Sequence, residues 1–277
     1  MRAVVVCMLG AALAVPALAS GYSEYTAGMN ANARNDYDQA ISHFTSALTA
    51  SDLVPDYVPS AHVGRGIAYL RSEQCTLALS DFNEALKTQS WSAQVVAQRA
   101  RANACLGKFD EGLADAAQAI SLRPEDSALY GVRGRIAFDA GRFATVAADF
   151  EQSLKLDSKN AATLLWLGTV QQRLGTFDER TFGARVADAD TGDWPRPLFD
   201  LLRGRLKDET RVAKAIVEEP NTAAFRQCQW NFFSGEWHLA HGDVATAKTL
   251  LKSAAATCPR ELALKRSARL ELARLPQ

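Results

Sequence analysis

The chain has 277 residues, 48% of them hydrophobic, and it sets 31 Lys and Arg against 31 Asp and Glu. That is enough apolar material for a sizeable core, including one built repeat by repeat. A formal net charge of zero argues against a nucleic-acid binder, which normally carries a basic excess.

The first element, residues 1–19, reads as a targeting segment. Arg2 supplies a short positive region, residues 3–15 are apolar with Gly10 as the interruption, and Ala17-Leu18-Ala19 forms a small-x-small cleavage site. This predicts a cleaved secretory signal peptide, too short to span a membrane comfortably, and hence a periplasmic or secreted protein. Cys7 lies in the apolar run with no lipobox after it, so no lipid anchor is expected. No later stretch approaches the roughly 20 apolar residues of a spanning helix, so no transmembrane helix is expected after signal removal. Cleavage leaves Cys75, Cys105, Cys228 and Cys258. An even number in an exported chain suggests disulfides, and four cysteines allow three pairings.

Next comes a stretch that repeats itself. Arg65, Arg99 and Arg133 are 34 residues apart, as are Asp81, Asp115 and Asp149. A small residue recurs in the middle of the first helix of each unit: Gly28, Gly66, Ala100, Gly134, Gly168 and Gly235. The second helix repeats a small position at Ala40, Ala78, Gly112, Val146, Arg180 and Ala247. Four residues on, it repeats a core position at Phe44, Phe82, Ala116, Phe150, Ala184 and Leu251. This helical spacing marks a buried face. Asn35, Gly107, Gly141, Gly175 and Gly242 hold the turn between the two helices, where a left-handed residue ends the first.

A 34-residue period of this kind resembles the tetratricopeptide repeat (TPR) family, whose unit is a helix–turn–helix. The resemblance implies an all-α solenoid of about six helical hairpins closed by a C-terminal capping helix. Residues 20–190 would hold repeats 1–5, the fifth degenerate because Arg180 stands at a small core position. Residues 191–222, from Asp193-Trp194-Pro195 through Leu198, Leu202, Asp208 and Ile216, would form a shortened hairpin. Residues 223–277 would hold repeat 6 and the cap, with Leu262, Leu264, Leu270 and Leu272 turned inward. The register then selects a disulfide pairing. Cys75 starts the second helix of one repeat and Cys105 ends the first helix of the next. Cys228 begins repeat 6 and Cys258 follows its second helix. Antiparallel packing joins start to end, so Cys75–Cys105 and Cys228–Cys258 are expected.

The C-terminal part, with Trp194-Pro195, Gly204, the run Gln227-Cys228-Gln229-Trp230-Asn231-Phe232-Phe233-Ser234-Gly235-Glu236-Trp237, and Gly242-Asp243, resembles NlpI-type bacterial cell-envelope TPR adaptors. That resemblance implies a non-catalytic scaffold that gathers peptidoglycan hydrolases or proteases, and a homodimer. Those proteins are lipid-anchored, which this chain's lack of a lipobox does not match. A subunit of an envelope secretion or export assembly is the alternative.

Three constellations carry candidate chemistry. The Arg/Asp rows read either as cations for an acidic ligand or as internal ion pairs. Each Arg comes with its own Asp, which favours the pairs, and if exposed each contributes about 0–1 kcal/mol. In TPR proteins the first helices line a concave groove, which would here present Tyr25, Met29, Val63, Ile67, Arg71, Gln94, Arg101, Arg135, Phe138 and Arg173. Such a groove is apolar at its N-terminal end and basic further along, and suits a peptide with apolar anchors and an acidic stretch. Arg101 and Arg135 are expected to be exposed there. Finally, Glu236, His238 and His241 invite a metal-dependent hydrolase reading, but a stable zinc site takes three or four ligands. No catalytic residues, metal or cofactor are therefore expected.

Overall fold

The computed structural model describes residues 20–88, 92–189, 194–207, 209–259 and 263–276. The expected signal segment, Asp193, Asp208 and Leu262 lie outside them. Among the described residues the secondary structure is helical throughout. The chain runs α1 (Gly21–Ala33), α2 (Tyr37–Thr49), a 3-10 turn (Pro55–Tyr57), α3 (Val58–Arg71), α4 (Cys75–Leu86), α5 (Ala93–Cys105), α6 (Phe109–Leu122), α7 (Ser127–Asp139) and α8 (Phe143–Leu156). It continues with α9 (Ala161–Leu174), α10 (Glu179–Asp188), α11 (Arg196–Leu202), α12 (Glu209–Val217), α13 (Pro220–Ala240), α14 (Val244–Thr257) and α15 (Leu264–Arg274).

Local sequence places these helices. Ser20, Asp36, Ser92, Asp126, Asn160, Asp178 and Asp243 each accept a backbone N–H of the first turn, which gives a helix start its missing acceptor. The second helices bury one stripe: Ala40, Phe44 and Ala47 in α2, Ala78, Phe82 and Ala85 in α4, Val146, Phe150 and Ser153 in α8. The first helices are buried on more than one side, because each packs on its own partner and on the helices before and after it. The recurring small residue is explained by that packing. A Cβ on Gly134 would sit 2.8 Å from the Phe150 ring, and one on Gly66 would sit 2.8 Å from Phe82. Glu73 takes the left-handed turn position of the second unit with a φ of 59°, where the other units use Asn or Gly.

Hairpins α1–α2, α3–α4, α5–α6, α7–α8 and α13–α14 stack into a solenoid, and α15 covers the last of them. Two expectations need correction. The core position of the fifth unit is Phe182, not Ala184: Phe182 is buried against Gly168, whereas Ala184 is exposed. A short α10 shifts the register by two residues. The last long hairpin also starts earlier than Cys228, since α13 begins at Pro220, a residue suited to a helix's first turn.

A large aromatic cluster forms where α13 lies on α9. Trp166 packs on Phe138, Phe150, Phe232 and Phe233 with ring centroids 5.0–6.1 Å apart. Between them, α11 packs on α9 and α13, and α12 on α13. The chain end turns back on itself here, for α15 touches α7 of the fourth unit. Both cysteine pairs, Cys75–Cys105 and Cys228–Cys258, are joined, with Cα atoms 6.0 and 4.9 Å apart.

Candidate functional site

The Arg/Asp rows are internal pairs. Arg65, Arg99 and Arg133 each grip the Asp of their own hairpin with Nε and Nη2: Nη2 lies 2.8 Å from Asp81, 2.6 Å from Asp115 and 2.6 Å from Asp149. The carboxylates are buried, so the small value of an exposed pair does not apply. Removing one partner would leave a buried charge. Burial raises the Asp81 carboxyl, but hydrogen bonds from Arg65 and His62 outweigh it and hold the group below its usual range.

The concave face is built by α1, α3, α5 and α7, each touching the next inner helix. Met29 and Gln94 are exposed on it, as is Arg71, while Tyr25, Val63 and Ile67 are half-buried. Tyr25 stacks with Tyr22 and Tyr57 near the N-terminal end. Further along, the expected open groove becomes a partly covered pocket. The return of α13 and α15 leaves a cavity of about 530 Å³ lined by Ile67, Arg71, Arg101 and Arg135 from the expected set, and by Trp166, Phe225, Phe233, Leu264, Arg266 and Arg269 from outside it.

Four of the expected groove residues need correction. Phe138 is 0% exposed and belongs to the aromatic core. Arg173 is held from beneath: its Nη1 donates to Glu236 Oε2 at 2.6 Å and to Glu271 Oε2 at 2.9 Å. Arg101 and Arg135 are half-buried rather than exposed. Burial, then the charges of Arg135 and Arg71, push the Arg101 guanidinium down to about 9. Burial foremost, with Arg266 and Arg71, lowers Arg135 as well, against the pull of Asp139.

The C-terminal helix closes the cavity through Asp139. Arg266 donates to Asp139 Oδ2 at 2.9 and 3.2 Å, and Ser267 Oγ donates to Oδ1 at 2.6 Å. Arg274 donates to the Asp139 carbonyl and to Glu271. These residues were not singled out in the sequence. Their signal was present but local: Ser267 and Glu271 are polar, one turn apart, on the face of α15 that buries Leu264 and Ala268. A polar pair on a buried face asks for partners elsewhere.

Glu236, His238 and His241 do not converge. Glu236 is fully buried against Arg173, His238 Nδ1 meets Asp243 at 3.1 Å, and His241 stacks on Trp237 with its Nδ1 at that residue's carbonyl. Among the described residues, no three His, Cys, Asp or Glu side chains are grouped to hold a metal.

Glu236 is nonetheless unusual. Burial, then the charge of Glu271, push its carboxyl up to about 8, against the attraction of Arg173. A carboxyl raised on folding favours the protonated fold. Its contribution is complete below its unfolded value near 4.5 and is lost as pH rises through about 8. Glu236→Gln keeps the shape and removes the titration. It is expected to raise stability at pH 8.5 by on the order of 1–3 kcal/mol, with little change at pH 4.5. Urea denaturation at the two pH values measures this, and an equal effect at both would contradict it.

Comparison with known proteins agrees with this architecture. Residues 25–94 and 97–161 match the family model described as tetratricopeptide repeat. Human tetratricopeptide repeat protein 13 (Homo sapiens) is 35% identical over 148 residues, which are 52% of this chain and 17% of that protein, so the chain spans a small part of that relative's length. Among solved structures, a tetratricopeptide repeat protein from Parabacteroides merdae is 16% identical with a TM-score of 0.57, over 90% of this chain and 98% of that one. The Rap conjugation gene regulator of plasmid pLS20, in complex with a Phr peptide, is 17% identical with a TM-score of 0.59, over 93% of this chain and 76% of that one. These likenesses show a shared fold.

Proposed function

Because residues 25–94 and 97–161 match the tetratricopeptide repeat family, we propose that the chain is a non-catalytic scaffold that docks protein partners on its concave face. The observation that carries this reading is the continuous inner face of α1, α3 and α5, where exposed Met29 and Gln94 stand beside half-buried Tyr25, Val63 and Ile67. Apolar and aromatic anchors on a prebuilt surface are what a peptide segment needs, because little ordering cost remains on the scaffold's side. The plasmid regulator of the same fold is in complex with a peptide, which is consistent with such a role here.

The compartment we propose is extracytoplasmic. Two joined cysteine pairs are compatible with oxidising surroundings, and no helix among the described residues is long and apolar enough to cross a membrane. Partners in that setting would include peptidoglycan hydrolases or envelope proteases, following the NlpI-type resemblance of the C-terminal part. Affinity capture from native envelopes tests the reading. Met29→Glu with Gln94→Glu changes exposed positions, so stability should move by about 0.5 kcal/mol or less. Capture of the partners retained by the natural chain should fall about tenfold or more. Undiminished capture by a folded double variant would place docking on another face.

A further inference from the structure

We propose that the partly open cavity between α3, α5, α7, α9, α13 and α15 binds a small amphiphilic carboxylate, an organic anion with an apolar body. This goes beyond protein docking and, Ile67 apart, rests on different residues.

The first observation is charge. Five arginines line the cavity, Arg71, Arg101, Arg135, Arg266 and Arg269, against two carboxylates, Glu73 and Asp139. Both carboxylates are engaged by α15. Asp139 accepts from Arg266 and Ser267, and Glu73 lies 3.9 Å from Arg269. Arg101 is left with a neutral acceptor, since its Nη1 donates to Gln98 Oε1 at 3.2 Å. Arg135 forms no hydrogen bond or ion pair with any described residue. Two neighbouring guanidiniums held inside a fold without a carboxylate of their own are an unusual arrangement. Burying a charge is costly unless it is paired, and these two repel each other as well. A bound anion would relieve both costs.

The second observation is shape and polarity. A cavity of about 530 Å³ falls within the roughly 300–1,000 Å³ typical of small-molecule sites. The same lining holds Leu70, Ile136, Trp166, Phe225, Phe233 and Leu264. Phe225 is 40% exposed, a large ring left partly wet. A bare inorganic anion would satisfy the arginines and leave the Phe225 ring and the half-buried Leu70 in water. A carboxylate on a hydrocarbon body meets both: its two oxygens accept from the guanidinium forks, and its body covers the exposed part of Phe225. The lining comes from different parts of the chain, Arg101 and Arg135 from α5 and α7, and Phe225, Phe233 and Leu264 from α13 and α15. A ligand between them would therefore tie the returning C-terminal segment to the middle of the solenoid.

Calorimetric titration of the full, disulfide-bonded chain tests this with four probes: 4-phenylbutyrate, octanoate, the neutral 4-phenylbutyramide and inorganic phosphate. At least one of the two carboxylates should bind about tenfold or more tightly than the amide and the phosphate. Arg135→Met and Arg101→Met should each weaken that carboxylate about tenfold or more, while Arg34→Gln, an exposed position at the end of α1, should leave it unchanged. The comparison of acid with amide needs no variant, so it stands even if an arginine substitution impairs folding. No binding of either carboxylate at millimolar concentration overturns the proposal. So does equal binding of the amide, equal binding of phosphate, or full affinity in a folded Arg135→Met protein.

Discussion

At pH 8.5, where Glu236 is ionised, Arg173→Met is expected to destabilise the fold by about 3–5 kcal/mol. The reason is what stays behind. Glu236 and Glu271 are both 0% exposed, and Arg173 is the cation that bridges them. Methionine fills much of the same space beside the Phe143 ring, on which the guanidinium now lies at 4.9 Å, so packing is largely kept while the charge is lost. Arg274 still reaches Glu271, but Glu236 loses its only hydrogen-bond partner among the described residues, because its Oε1 already has none. A solenoid is stabilised through neighbouring units, so the loss should be concentrated in the C-terminal part. Hydrogen exchange should accelerate in α13 and α15 and remain slow in α3 and α4. The double variant Arg173→Met with Glu236→Gln should recover a large part of the loss, the mark of coupled residues. A single-variant change under about 1 kcal/mol in urea denaturation would show that the two glutamates do not depend on Arg173.

How much of this was legible in the sequence follows from the range of the forces involved. The hairpins were legible because their determinants are local and periodic. Gly134 must be small since Phe150 lies on it, and both recur 34 residues from their counterparts Ala100 and Ala116. The Arg/Asp pairs could be read for the same reason, being 16 residues apart within one hairpin. The cysteine pairing was readable through register, which sets which helix ends meet. The cavity was not. Its closure depends on Arg266 and Ser267 meeting Asp139 across 127 and 128 residues, and no repeat unit encodes a contact of that span. For this reason Phe138 and Arg173 were expected at the groove but lie beneath returning helices that break the repeat. The fifth unit failed locally: with Arg180 at the small position, the short α10 places Phe182 where Ala184 was expected.

Removing the Cys228–Cys258 bridge by Cys228→Ala with Cys258→Ala is expected to cost about 3–4 kcal/mol in the chain-entropy account. The Cys75–Cys105 bridge offers a comparison within the same molecule. Both span a sequence separation of 30 residues, so loop entropy alone predicts equal losses. Packing distinguishes them. Cys228 and Cys258 are 1% and 2% exposed and belong to the large aromatic core, where lost sulfur atoms leave a void. Cys75 and Cys105 line the cavity, where water can fill the vacated space. The C-terminal pair should therefore cost about 1–2 kcal/mol more than the pair at the cavity, since deleted core atoms carry a cavity cost on top of their transfer from water. Urea denaturation of the two double variants, each against the oxidised chain, gives the comparison. Equal losses would show that the constraint on the unfolded chain carries the whole effect. A larger loss at Cys75–Cys105 would mean that this bridge, which ties α4 to α5 across two hairpins, holds the stack together in a way that core packing does not.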